Sequence, residues 1–310
     1  MIRNGNWKVM KTLCRFIGVS LFSLFVVVKS GLCLEREVTD SLGRVVRLTA
    51  NPVRVVSLAP SVTEVVFALG QHHRLKGVTQ FSNYPPEAMN LPRVGSYVRL
   101  DVEKIVSLKP DLCLAIKDGN PIEAIRRLEG LNIPVYAVDP RNLHAVMEMV
   151  SDIGDLLDAV QQAEIIVQGM KKRIEKVKAM VSGIKNRPKV FFQIGVSPIV
   201  SVGTETFLHE LITLAGGYNL TRGDVTYPRL TVEQVLALAP DVLIVTSMTR
   251  GQSFDAVEAQ WKRWDSIPAV RNNRIYLVDS DIVDRPTPRL VDGLEALVRF
   301  INPELVSRTP

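Results

Sequence analysis

The sequence predicts an α/β protein of two Rossmann-like lobes, each with a mainly parallel sheet, joined by one long backbone helix and separated by a cleft. Three observations carry that reading: an internal repeat at an offset of 130 residues, short apolar runs alternating with helical segments in each half, and a proline-free amphipathic stretch between the halves.

The first element is residues 1–33. Lys8, Lys11 and Arg15 precede the apolar stretch Phe16 to Val28, which is the layout of an export signal. That stretch is shorter than the roughly 20 apolar residues a membrane-spanning helix needs, and an uncleaved anchor is the competing reading. Cleavage after Cys33 leaves Gly31 and Cys33 as the small residues at the recognition positions. A lipid anchor on Cys33 is the alternative, with bulky Leu32 against it.

Setting the signal aside changes the charge. The 310 residues hold 38 Lys and Arg against 32 Asp and Glu, but Arg3, Lys8, Lys11, Arg15 and Lys29 lie in the signal, leaving 33 against 32. A nearly neutral mature chain lacks the standing excess of Lys and Arg on which nucleic-acid binding depends. With 46% apolar residues the chain is long and apolar enough to bury real cores. Cys14 and Cys33 leave with the signal, so no internal disulfide forms, and Cys113 inside the apolar run Leu112 to Ile116 reads as a small buried hydrophobe.

The N-terminal lobe is expected over residues 34–140 and the C-terminal lobe over 188–310. Residues 100–115 read LDVEKIVSLKPDLCLA and residues 230–245 read LTVEQVLALAPDVLIV. Each copy predicts a helix starting after a capping residue, Asp101 or Thr231, and stopping before Pro110 or Pro240. A strand covered on both faces then follows Asp111 or Asp241. Flanking segments pair as well. The strand Arg54 to Leu58 leads to the helix Thr63 to Leu69, as the strand Lys189 to Ile194 leads to the helix Phe207 to Leu214. Downstream, IPVYAVD (133–139) matches NRIYLVD (273–279). Strands alternating with helices imply right-handed βαβ units and one open sheet per lobe.

Residues 141–187 are expected to form the connecting backbone helix. Apolar residues from Leu143, Val146 and Val150 to Val177, Val181 and Ile184 recur mainly at steps of three and four. A continuous helix here reaches roughly 60 Å at 1.5 Å per residue. Gly154 and Gly169 argue for the alternative, a pair of packed helices. A single stiff connector implies little closure and a largely preformed cleft.

Local signatures of catalysis are missing: the chain has no GxSxG, GxGxxG, HExxH or CxxC, so an enzyme is not expected. Its four histidines, His72, His73, His144 and His209, form no matched ligand set, so a metal carrier is the weaker reading.

Together, RVVSLAPSVTEVVFALG (54–70), FSNYPPEA (81–88), RVGSYVRLDVEKIVSLKPDL (93–112), KVFFQIG (189–195), TYPRLTVEQVLALAPD (226–241) and SDIVDRPTPRL (280–290) resemble the helical-backbone, or class III, periplasmic solute-binding proteins of ABC importers, most closely the cobalamin-binding members. The resemblance implies an exported periplasmic carrier that needs no cofactor. It is expected to be a monomer when free, and to deliver cobalamin or a related corrinoid to a membrane permease dimer. Haem or a ferric siderophore is the alternative cargo on the same scaffold. By matching segments, the ligand-facing residues it implies are Phe81, Tyr97 and Tyr227 as aromatic walls and Asp281 and Arg285 as polar neighbours. A loop ion pair between the last two is the competing reading. Ile116 and Val200 stand where further aromatics are expected. Glu103 and Glu233, repeated at the 130-residue offset, correspond to the acids that meet permease arginines. Read from the residues alone, they are first-turn acids that complement a helix dipole.

Overall fold

The computed structural model describes residues 35–246 and 254–306. The export-signal and Cys33 readings therefore fall outside the described residues. The described chain opens on a hairpin that the sequence reading did not anticipate, in which β1 (Glu35–Thr39) pairs antiparallel with β2 (Val45–Thr49). Asp40 closes its turn, accepting the backbone N–H groups of Leu42 and Arg44 at 3.0 and 2.9 Å. Val46 and Leu48, two apart, turn into the core as strand periodicity requires.

Four strands build the N-terminal sheet: β3 (Val55–Ser57), β4 (Leu75–Gly77), β5 (Leu112–Ile116) and β6 (Val135–Val138), in the spatial order β4-β3-β5-β6 and all parallel. The C-terminal sheet uses β7 (Lys189–Gln193), β8 (Tyr218–Asn219), β9 (Val242–Thr246) and β10 (Ile275–Val278), in the order β8-β7-β9-β10, again all parallel. Taken along the chain, both orders are second, first, third, fourth, so the sequence repeat is a repeat of topology.

The helices are α1 (Pro60–Ala68), α2 (Val102–Ser107) and α3 (Ile122–Gly130) in the first lobe, then α4 (Leu143–Leu156) and α5 (Val160–Val181) in the connector. The second lobe carries α6 (Phe207–Leu214), α7 (Val232–Leu238), α8 (Phe254–Trp261), α9 (Pro268–Arg271), α10 (Ser280–Val283) and α11 (Leu290–Ile301).

Each repeat copy has a shared local chemistry. Asp101 caps α2 by accepting the Lys104 N–H at 2.9 Å, and Thr231 with Gln234 closes a reciprocal capping box on α7. Both helices end on a residue with left-handed backbone, Lys109 at φ 48° and Ala239 at φ 46°, immediately before the proline. The aspartate after that proline ties the third strand to the first. Asp111 accepts from the Val53 and Arg54 N–H groups, and Asp241 accepts from that of Lys189 at 2.8 Å.

The connector differs from the expectation of one helix over 141–187. It is a 14-residue helix and a 22-residue helix, parted at Leu157–Ala159, where Asp158 takes φ 57°. Gly154 marks the seam between them: a Cβ there would lie 2.6 Å from that of Ala163, so the two helices pack closely beside the turn. The lone helix that runs behind both lobes is α5, about 33 Å long at 1.5 Å per residue. It begins where Gln162 reaches the Ala68 carbonyl at the end of α1, and its last turn lies against Gly216 beyond α6.

Ala163, Val167, Met170, Ile174, Val177 and Val181 form the buried stripe of α5. They belong to one apolar core that runs without interruption from Val62 and Val66 of the first lobe to Leu211, Leu294 and Leu297 of the second. Two smaller clusters cover the opposite faces, one inside each lobe. No helix among the described residues is long and apolar enough to cross a membrane.

Candidate functional site

A cleft of about 810 Å³ lies between the lobes, lined by residues of both. Its walls are the loops leaving the carboxyl ends of the parallel strands, the place where open α/β sheets present ligands to their loops. From the first lobe come Pro60 and Ser61 after β3, Phe81 after β4, Asp118 after β5 and Asp139 to Arg141 after β6. The second lobe contributes Glu205 to Phe207, Thr226, Tyr227 and the segment from Ser280 to Pro286 after β10.

The five sequence-predicted ligand residues, Phe81, Tyr97, Tyr227, Asp281 and Arg285, all line this one cleft. Phe81 and Tyr97 meet edge to face, with ring centroids 6.2 Å apart at 70°. Tyr97 is held from behind. Asn120 donates to its carbonyl and to that of Leu58, both at 2.8 Å, while the Asn120 Oδ1 accepts the Ile116 N–H. Gly119, at φ 134°, is required here, because a Cβ would strike the Tyr97 ring at 2.8 Å. Tyr227 stands on the other lobe and is about half exposed at 53%. Burial of its inner part raises the phenol's pKa, and the carboxylates of Asp118 across the cleft and Asp284 beside it push the same way. Ile116 joins the lining and Val200 does not.

Asp281 and Arg285 pair at 2.7 Å, as the competing sequence reading allowed, but the guanidinium does more. It also reaches Glu64 Oε1 and Asn83 Oδ1, each at 2.8 Å, and the Phe81 carbonyl at 3.3 Å. Glu64 escaped the sequence reading. It is buried on α1 and is held as well by Arg289, at 2.9 and 3.1 Å. A signal was present, since Glu64 is the one charged residue in the apolar segment VVSLAPSVTEVVFALG, and a carboxylate placed there must find a cation.

Asp284 was also missed. Both of its carboxylate oxygens are shut off from solvent and face no donor but the neighbouring Thr246 hydroxyl, which is buried as well. Burial, reinforced by the Asp281 and Asp279 carboxylates, pushes its pKa up to about 7. The cleft lining holds five acids, Asp118, Asp139, Glu205, Asp281 and Asp284, against the two cations Arg141 and Arg285. Both cations are already matched: Arg141 faces Asp139 at 3.0 Å and Asp118 at 3.8 Å, and Arg285 is engaged as described.

Glu103 and Glu233 lie outside the cleft, exposed in the first turns of α2 and α7. Each helix runs back toward the start of the next strand, so its N-terminus sits on the cleft side of its lobe. Hydrogen bonds from its own N–H and from Thr231 lower the pKa of Glu233. The histidines are scattered. His72 stacks on Phe67, His144 pairs with Glu148, and His209 meets Asn219. Among the described residues no group of three or more His, Cys, Asp or Glu could hold a metal ion.

Comparison with known proteins agrees with this architecture. A family model described as periplasmic binding protein matches residues 55–282. The vitamin B12-binding protein of Vibrio parahaemolyticus serotype O3:K6 (strain RIMD 2210633) is 30% identical over 242 residues, covering 78% of this chain and 86% of that one. Among solved structures, the periplasmic vitamin B12-binding protein BtuF of Vibrio cholerae superposes with a TM-score of 0.73 at 26% identity, over 83% of this chain and 99% of that one. The periplasmic haem-binding protein RhuT of Roseiflexus sp. RS-1 in its apo form does so with a TM-score of 0.74 at 27% identity, over 81% and 98%. These relatives are solute-binding proteins and not enzymes.

Proposed function

Because the chain belongs to the periplasmic binding protein family, we propose that it captures cobalamin or a related corrinoid outside the cytoplasm and hands it to the permease of an ABC importer. The observation that carries the choice of cargo is the character of the cleft: aromatic walls on both lobes, and no cation in the lining that lacks an acidic partner. Phe81 and Tyr97 cover one face of a broad, partly apolar macrocycle and Tyr227 covers the other. The surplus of oxygen acceptors in Asp118, Glu205 and Asp281 suits a rim of carboxamide N–H groups.

Haem is the second reading, favoured by the RhuT likeness and by Tyr97 and Tyr227 as candidate iron ligands. Two features of the cleft oppose it. Haem propionates, like catecholates of a ferric siderophore, are anions that call for a free guanidinium or ammonium, and the raised pKa of Tyr227 works against a phenolate ligand. Trp261 and Trp264 are absent from the cleft lining, so calorimetry is the suitable readout. Titration with cyanocobalamin is expected to give a micromolar or tighter constant, about 8 kcal/mol or more. Saturation by haemin or a ferric siderophore, with no heat from cyanocobalamin, would overturn the corrinoid assignment.

A further inference from the structure

Behind the lining residues Phe81, Asp281 and Arg285 lies a charged network that the family reading did not require. Glu64, on α1 of the first lobe, is 4% exposed, and its carboxylate accepts from Arg285 Nη1 and from Arg289 Nε and Nη2, all on the second lobe. Arg289 also donates to the Asp281 carbonyl at 3.1 Å and lies over the Tyr84 ring with its guanidinium carbon 3.7 Å from the centroid. Asn83 bridges the same gap twice, accepting from Arg285 at 2.8 Å and donating to Asp281 at 3.3 Å. Two segments of one lobe, α1 and residues 81–84, are thus bound to a single segment of the other, residues 281–289.

The atoms tied together are those that form the walls, since Phe81, Asp281 and Arg285 all line the cleft. We infer that Glu64 is a positioning residue: by holding Arg285 and Arg289 of the opposite lobe it fixes the separation of the two cleft walls before a ligand arrives. Arg285 acts through this network as a strut and is not a free ligand-binding cation. The inference deepens the carrier reading, because wall spacing decides which flat cargo fits between Tyr97 and Tyr227. A buried carboxylate suits the task, for its loss leaves two guanidinium groups short of a counter-charge in the same confined space.

Another ion cluster between elements provides a contrast. Arg173 of α5 pairs with Asp292 at 2.6 Å and Glu295 at 2.8 Å on α11, and none of the three lines the cleft.

The test is a pulsed electron–electron distance measurement on the full chain, with nitroxide amino acids at Arg126 and Lys262, exposed on the first and second lobes. The unsubstituted protein is expected to give one narrow distribution, which Glu64→Gln broadens and Arg173→Gln leaves unchanged. In parallel, Glu64→Gln is expected to weaken cyanocobalamin binding at least tenfold while Arg173→Gln does not. Should Glu64→Gln fail to fold, Arg289→Lys, which keeps the charge and gives up the two-pronged contact, is measured instead with the same expectation. A distribution for the folded Glu64→Gln or Arg289→Lys variant as narrow as the wild-type one overturns the inference, whatever the ligand data. A broadened distribution in a protein that binds no corrinoid upholds the strut and removes the cargo assignment alone.

Discussion

Asp284 is the residue whose environment departs furthest from that of an exposed carboxylate. A carboxyl that ionises near pH 3.9 in an unfolded chain is held by burial at about 7 in the fold. The folded state therefore binds the proton more tightly than the unfolded state, so this group's contribution to stability is greatest below about pH 4. It declines as pH rises from there to about 7 and is level above that. Asp284→Asn keeps the shape and removes the charge. It is expected to stabilise the protein by on the order of 1–3 kcal/mol at pH 8, with the gain shrinking steadily toward pH 5. Thermal melts of both proteins across that range check it, and a pH-independent difference would refute it. Five of the lining residues, Phe81, Tyr97, Tyr227, Asp281 and Arg285, were named in advance through the family resemblance, and the fold gathers them in one lining. Glu64 announced only that it needs a cation and Asp284 announced nothing, because what sets them apart is burial beside a particular neighbour, and burial is a property of the folded surface.

Among the elements, the connector taught most. Its apolar stripe was readable along the whole of 143–184, yet periodicity describes only which face is buried and is blind to a reversal that keeps both faces covered. The two glycines that weakened the continuous reading prove to be unlike. Gly154 sits at the crossing with Ala163, whereas a Cβ on Gly169 meets nothing within 4 Å. Gly154→Ala is accordingly expected to destabilise by about 1–3 kcal/mol through overpacking, despite alanine's better helix propensity. Gly169→Ala is expected to stabilise by about 0.5–1 kcal/mol. Urea unfolding of the pair decides the matter, and equal effects of one sign would mean that the seam does not constrain α4 and α5.

For the molecule as a whole, one core extends through both lobes and a buried ion network joins them beside the cleft, so the lobes are restrained at two places. Affinity then has to come from the walls, since little is available from closure. Glu103 and Glu233 are exposed acids in the first turns of duplicated helices, and we propose that each meets one half of a two-fold permease. Glu103→Ala combined with Glu233→Ala is expected to leave calorimetric ligand affinity within twofold of wild type and to abolish uptake in cells carrying the importer. Loss of ligand affinity in that double variant would take the two acids out of the docking role.

The amino-acid order by itself determined the duplicated helix–turn–strand unit, its caps and its stops, and with them two sheets of like topology. These are consequences of contacts between near neighbours in the chain and of apolar period, and they are written locally. Only the tertiary structure decided where the connector turns back and which buried carboxylates face which guanidinium groups. Glu64 and Arg289 are 225 residues apart, and their pairing is settled by how two finished lobes meet.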